Sequence, residues 1–206
     1  SVAAEILREK TAKNDTAGIE KSITAIESEI ACLDQLTGKI LELTKTELTL
    51  VEDIHTVTDL AAEGKAAAER YSEMIFKKKI GFTEKISGPV PVSAPPQALQ
   101  SLFDILFDNA IKYCADGRTI RLSIYTEGSR AVAELFNTSA PHSEKTLTEI
   151  FKPFVRNESE RIPGYGLGLA LATHITRNLR GSIRAENVNG GICFFIDFPL
   201  VLEDTI

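Results

Sequence analysis

The sequence predicts an α+β chain in which a long helical segment is followed by a sheet with helices on one face. Three observations predict it. An apolar stripe recurs at alternating steps of three and four residues from Ile19 to Leu43. Two later stretches carry apolar helical faces, and strand-like runs come in pairs around short turns. Helices and antiparallel strands in this mixed order indicate a layered domain with a sheet on one side.

The first long helix runs from Gly18 to about Thr46, with Asp15 and Thr16 as capping residues before it. Its stripe is Ile19, Ile23, Ile26, Ile30, Leu33, Leu36 or Thr37, Ile40 and Leu43. At 1.5 Å per residue such a helix is roughly 40 Å long. Only a short helical piece, Val2 to about Lys10, precedes it, and this covers a minority of the stripe. The remaining stripe therefore needs a partner, from a longer first helix, a second subunit, or both.

Leu48–His55 then reads as a short strand, Val57 to Lys79 as a helix, and Ile80–Ile86 as a strand. The prolines of GPVPVSAPP mark a connector that ends one element and opens the next. Gln97–Tyr113 is a helix whose core face is Leu99, Leu102, Phe103, Leu106, Phe107 and Ala110. Thr119–Tyr125 and Arg130–Phe136 form a hairpin around TEGS. Asn137 to Tyr165 is mostly irregular, with a short helix at Ser143–Ile150, and a loop of that length is usually functional or mobile. A glycine-rich lead-in, a helix to about Leu179, a stop at Gly181 and two strands around NVNGG complete the chain.

The bulk numbers narrow the function classes. The chain has 206 residues, 43% apolar and 25% charged, with a formal net charge of -6. That charge argues against a nucleic-acid partner bound through a general basic field. No apolar run approaches the roughly 20 residues of a membrane span, and no leader pattern opens the sequence. Cys32, Cys114 and Cys193 are odd in number and widely spaced, which suits a reducing cytoplasm and neither a disulfide framework nor a zinc site.

Two segments carry chemistry. Gly164-Tyr165-Gly166-Leu167-Gly168-Leu169-Ala170 opens an apolar helix with glycines at alternate positions. Backbone amides can approach a ligand closely there, and a helix N-terminus favours phosphate. It is neither a P-loop, since GxxxxGK[ST] is missing, nor a dinucleotide fingerprint, since Pro163 precedes it and Leu169 stands at a required glycine. In Leu106-Phe107-Asp108-Asn109-Ala110-Ile111-Lys112-Tyr113, Asn109 and Lys112 share a helix face. An amide oxygen beside an ammonium suits a cation and its phosphate. From each pattern alone, a structural glycine turn or a solvated polar face stays open.

Together, and in this order, the segments resemble the N box and G2 box of sensor histidine kinases, within the superfamily that includes type II topoisomerases. Phe151-Lys152-Pro153-Phe154-Val155-Arg156 resembles the F box, and Asn137-Thr138-Ser139-Ala140-Pro141 stands where the G1 box belongs. GGICFFIDFPL resembles the closing strand, and ELTKTE the end of the second dimerisation helix. The resemblance implies a helical hairpin over residues 1–47, its first helix truncated, then an α/β sandwich that binds ATP over residues 48–206. It implies ATP and Mg2+ as cofactors. Asn109 would ligate the metal, Lys112 would contact phosphate, and Tyr113 would lie against adenine or ribose. Asn137 would bond the adenine amino group, with Ser139 beside it, and Arg156 would lie near the γ-phosphate. Gly164, Tyr165, Gly166, Leu167, Gly168 and Leu169 would form the hinge and phosphate cradle, and Asn157 to Pro163 the lid.

The sequence departs from that pattern at four positions. Ile105 stands where a second polar N-box residue is usual and cannot ligate a metal. Asn137 replaces an aspartate, and Ser139 and Pro141 replace the G1 glycines. His55, His142 and His174 are the chain's histidines, and none is on the first helix. The resemblance puts the phosphoacceptor upstream of Ser1, so no catalytic residue is assigned within this chain. The implied activity is that of a histidine kinase passing phosphate to a response-regulator receiver domain. It would work as a cytoplasmic homodimer, joined to a membrane only through sensor segments outside this chain. The alternative is a phosphotransferase or pseudokinase whose degenerate ATP domain is a scaffold.

Overall fold

A computed structural model describes residues 20, 23–24, 56–115, 117–155 and 166–201. The chain divides into two units, Ser1–Thr44 and Lys45–Ile206. In the first, Glu20, Ile23 and Thr24 are described and are helical, and Thr24 Oγ1 donates to the Glu20 carbonyl at 3.0 Å. The predicted Val2–Lys10 piece, the rest of the Gly18–Thr46 helix and the Leu48–His55 strand lie outside the described residues.

Among the described residues the second unit begins with β1 (Val57–Asp59), followed by helix α1 (Leu60–Lys77) and strand β2 (Gly81–Ile86). Sequence periodicity starts the helix at Val57, but Val57–Asp59 pairs antiparallel with β3 (Pro91–Ser93). Asp59 is the N-cap, accepting from the Ala61 amide at 2.9 Å and from the Val90 amide at 2.8 Å. The connector GPVPVSAPP thus contains a short strand. Its pairing partner lies some thirty residues back, where local patterning has no view of it.

Next come α2 (Pro96–Tyr113), β4 (Thr119–Glu127), β5 (Arg130–Thr138), α3 (Glu144–Glu149), α4 (Gly168–Asn178), β6 (Ser182–Val188) and β7 (Gly191–Pro199). Pro95 and Pro96 open α2, as expected of proline at a helix start. The predicted hairpin forms, with Glu127 opposite Arg130 and Gly128 at φ 57° supplying the tight turn. The strand runs further than predicted, so Asn137 lies within β5 and does not open the loop.

The main sheet has the order β2-β4-β5-β7-β6, with β2 parallel to β4 and every other neighbour antiparallel. Register sets its faces. Ile120, Leu122 and Ile124 of β4 stand opposite Asn137, Leu135 and Ala133 of β5, and these oppose Ile192, Phe194 and Ile196 of β7. That face carries the helices. Gly64 of α1 sits against Ile124 and Leu122, and the Phe107 ring of α2 lies 6.1 Å from Phe82 of β2. α2 packs between α1 and α4. Fully buried Leu60, Leu99, Leu102, Phe103, Leu106, Phe107, Ile175 and Phe198 fill the interface. Each contributes roughly 1.5–3 kcal/mol of burial. The opposite face is amphipathic, with Arg121 over the Phe136 ring and Arg184 over Phe195.

Candidate functional site

The predicted site residues that are described lie toward one end of the helix-bearing face. Phe82, Ile120, Asn137 and Ile192 form a single row across β2, β4, β5 and β7. Phe107, in the C-terminal half of α2, reaches Phe82 in that row. Asn109, Lys112 and Tyr113 follow on the same half of α2, and so lie toward the Asn137 end of the sheet.

α4 approaches the same end. It passes through Leu179, Arg180 and Gly181 directly into β6, whose first residue Ser182 pairs with Asp197. The C-terminus of α4 therefore sits at the far end of the sheet, where a Cβ on Gly181 would meet the Asp197 carbonyl and the Phe198 ring. At 1.5 Å per residue the helix spans about 16 Å. Its N-terminus falls back toward Gly191 and Asn137. A Cβ on Gly168 would lie 3.4 Å from Cγ2 of Ile105, one helical turn before Asn109. Leu167, at the N-cap of α4, makes no side-chain capping bond to its opening amides.

Asn137 is 1% exposed, and its Nδ2 has no hydrogen-bond partner among the described residues. An orphaned buried donor costs about 1–3 kcal/mol, so it is a sign of a partner that arrives with a ligand. Asn109 is half-buried and its side chain has no hydrogen-bond partner among the described residues. Lys112 is engaged, donating to Asp108 Oδ2 at 2.6 Å. The i,i+4 spacing puts Asp108 and Lys112 on neighbouring turns of one helix face. Asp104, next to Ile105, is held away from the site by Arg70 at 2.7 Å.

Tyr113, 39% exposed, and Ser139 line one open cleft of about 410 Å3 with Ala115, Arg118, Thr138, Ala140, His142 and Gly190. The loop after Asn137 is clamped by a residue with no local sequence signal. Asn187 accepts from the His142 amide at 2.9 Å and donates to the His142 carbonyl at 2.7 Å. The Phe154 amide donates to the Gly166 carbonyl at 3.0 Å, which ties the F-box segment to the helix opening. Phe154 has φ 64° and is 69% exposed, and Gly166 has φ 67°. Leu167 and Leu169 lie at the start of α4 with Gly168. Arg156, Gly164, Tyr165 and the Asn157–Pro163 stretch lie outside the described residues.

Among the described residues no cluster of three or more His, Cys, Asp or Glu exists that could hold a metal alone. An amide that meets a phosphate-bound cation needs no such cluster, because Mg2+ keeps waters and takes phosphate oxygens. No described helix is long and apolar enough to cross a membrane.

Comparison with known proteins agrees with this architecture. The chain is 29% identical over 210 residues to the adaptive-response sensory kinase SasA of Crocosphaera subtropica, covering 97% of this chain and 54% of that protein. It is 24% identical over 199 residues to the sensor histidine kinase GlrK of Escherichia coli, covering 95% of this chain and 42% of that protein. It thus spans about half the length of these relatives. The histidine kinase ThkA, solved in complex with the response regulator protein TrrA, superposes with TM-score 0.70 at 22% identity. That match covers 97% of this chain and 57% of the solved chain, and at this identity it speaks for the fold. Residues 94–202, from the start of α2 through β7, match the family described as histidine kinase-, DNA gyrase B-, and HSP90-like ATPase, and the chain belongs to that family.

Proposed function

We propose that this chain is the catalytic core of an ATP-dependent protein histidine kinase in a two-component signalling system. The observation that carries the reading is convergence. Ile105, one helical turn before Asn109, lies against Gly168 at the opening of α4, and the buried donor of Asn137 belongs to the sheet row that Phe107 of the same helix reaches, which supports one shared site.

The residues fit a nucleotide and its cation. Asn109 would ligate Mg2+, with Lys112 and Arg156 on the phosphates. Tyr113 would lie against the base or ribose, and Asn137 and Ser139 would hold the base end. Gly164, Tyr165, Gly166, Leu167, Gly168 and Leu169 would cradle the phosphates through backbone amides. Bound Mg2+ would neutralise charge on the transferring phosphoryl group. The chain's own part is to position and dehydrate the triphosphate, while a histidine upstream of Ser1 accepts the phosphoryl group and a receiver domain takes it onward.

Residues 1–47 would form the dimerisation hairpin and residues 48–206 the ATP-binding domain. The predicted apolar stripe from Ile19 to Leu43 is longer than the short helical piece before it can cover, which supports a second copy of the chain as its cover. The kinase core would be cytoplasmic, with any membrane anchor in segments outside this chain. A second reading, a pseudokinase scaffold, is favoured by Ile105 filling the space beside Gly168 and by Asp108 holding Lys112.

The test is calorimetric titration of the folded chain with Mg-ATP, then labelling of a form extended upstream through the first helix with γ-labelled ATP. Acid-labile, base-stable phosphate on the extended form supports the kinase. Binding without labelling leaves the scaffold reading standing, and no heat with Mg-ATP removes both cofactor assignments.

A further inference from the structure

We propose that Asn137 lets this site accept 6-oxopurine nucleotides as well as 6-aminopurine ones. The inference rests on the nucleotide reading above and deepens it. Among the described residues the buried side-chain atom of Asn137 without a partner is Nδ2, a donor, and an acceptor on the base would satisfy it. The amino group of adenine is itself a donor and would pair with Oδ1 of the amide, so it cannot satisfy Nδ2. Either ring N1 of adenine or a carbonyl oxygen at purine C6 can.

An amide offers one donor and one acceptor side by side. The adenine edge presents the 6-amino donor next to the N1 acceptor. The hypoxanthine edge presents the O6 acceptor next to the N1–H donor, the same pair reversed. Rotating the terminal amide by half a turn matches either edge, whereas an ionised carboxylate only accepts and would face O6 with repulsion. Nothing else in the row interferes, since Asn137 is flanked across the strands by Ile120 and Ile192, both buried and apolar.

The frame around the amide is fixed, so recognition falls to that side chain. Gly191 packs directly on the Asn137 carbonyl, and the following loop is clamped at both His142 backbone groups by Asn187. A polar group placed to read a donor-acceptor pair discriminates strongly when its match is missing.

The experiment measures dissociation constants of the chain for Mg-ATP and Mg-ITP by calorimetry, in wild type and Asn137→Asp. Hypoxanthine is used because it lacks the 2-amino group of guanine and changes only the edge in question. A wild-type ITP-to-ATP ratio within about thirtyfold, widened at least about tenfold further in Asn137→Asp, is the expected result. A larger wild-type ratio, or one unchanged in the variant, overturns the proposal while leaving nucleotide binding intact. Binding of neither nucleotide overturns the underlying reading as well. Should the buried carboxylate prevent folding, the wild type is titrated with 1-deaza-ATP, which lacks the N1 acceptor. About a fivefold or greater weakening against ATP is then expected, and equal affinity overturns the role of Nδ2.

Discussion

The carbonyl oxygen of Asn137 lies 2.1 Å from the point that a Cβ on Gly191 would occupy. β5 and β7 therefore come together at the residue that floors the candidate site, and only a residue without a side chain fits. The neighbour is backbone, which cannot swing aside as a flexible side chain would. Gly191→Ala is expected to destabilise the domain by roughly 2–4 kcal/mol in urea titration and to weaken Mg-ATP binding by moving Asn137. A midpoint equal to wild type would show that the two strands do not approach so closely.

Gly166 joins a left-handed backbone to a second close approach, with a Cβ there 2.5 Å from the Val155 carbonyl. An alanine in that conformation costs about 1–2 kcal/mol before any clash is counted. We expect Gly166→Ala to weaken nucleotide affinity at least about tenfold, because it must break the Phe154–Gly166 bond or rotate the α4 opening. Serine should behave as alanine does. An unchanged Kd would separate this turn from the binding site.

Asn109 and Lys112 should affect binding far more than stability. Asn109→Ala removes no hydrogen bond seen among the described residues, so its melting temperature should stay within a few degrees of wild type. Affinity for Mg-ATP should fall by about tenfold or more, and the difference between titrations with and without Mg2+ should shrink.

The Lys112–Asp108 pair has side chains 36% and 44% exposed, so it contributes only about 0.3–0.5 kcal/mol of stability. Asp108→Asn releases the ammonium and removes a negative charge from the site. Affinity for ATP should rise a few-fold, an effect that added salt should diminish. Weaker binding in this variant would mean that Asp108 positions Lys112 and does not compete for it.

Stability should fall on the alkaline side. Burial, with Glu134 adding to it, pushes the Cys193 thiol from 9.0 up to about 12. The hydrogen bond to Glu134 and then burial push Tyr125 from 10.0 up to about 12, and burial with Asp104 and Asp108 does the same for Tyr71. In each case the folded state holds a proton that the unfolded chain releases earlier. The protective contribution is therefore complete below about pH 9 and is lost as pH rises toward 12. The urea midpoint should decline over that window, less steeply in Tyr125→Phe and Cys193→Ala. Parallel slopes in all three proteins would contradict this.

Much of the architecture was legible because it is written in local periods. The apolar face of α2, Leu99 through Ala110, has the helical spacing, and eight of the seventeen residues from Gln97 to Tyr113 are buried hydrophobics of the core. The β4–β5 hairpin announced itself through Gly128. The β1–β3 pair did not, because Val57–Asp59 looks like the start of α1 until its partner arrives from residues 91–93. Likewise Asn137 read as the first residue of a loop, although β7 holds it in a strand.

The sequence alone determined which residue types line the candidate site and in what order, since glycine, asparagine and lysine carry their chemistry wherever the chain takes them. Tertiary structure alone decided which of their atoms are free to use it. Among the described residues Asn137 Nδ2 is left without a partner, Asn187 grips a backbone 45 residues away, and Ile105 meets Gly168. Contacts of that kind depend on how strands register and helices dock. They arise between segments distant along the chain, where no residue's own preference or neighbour can specify them.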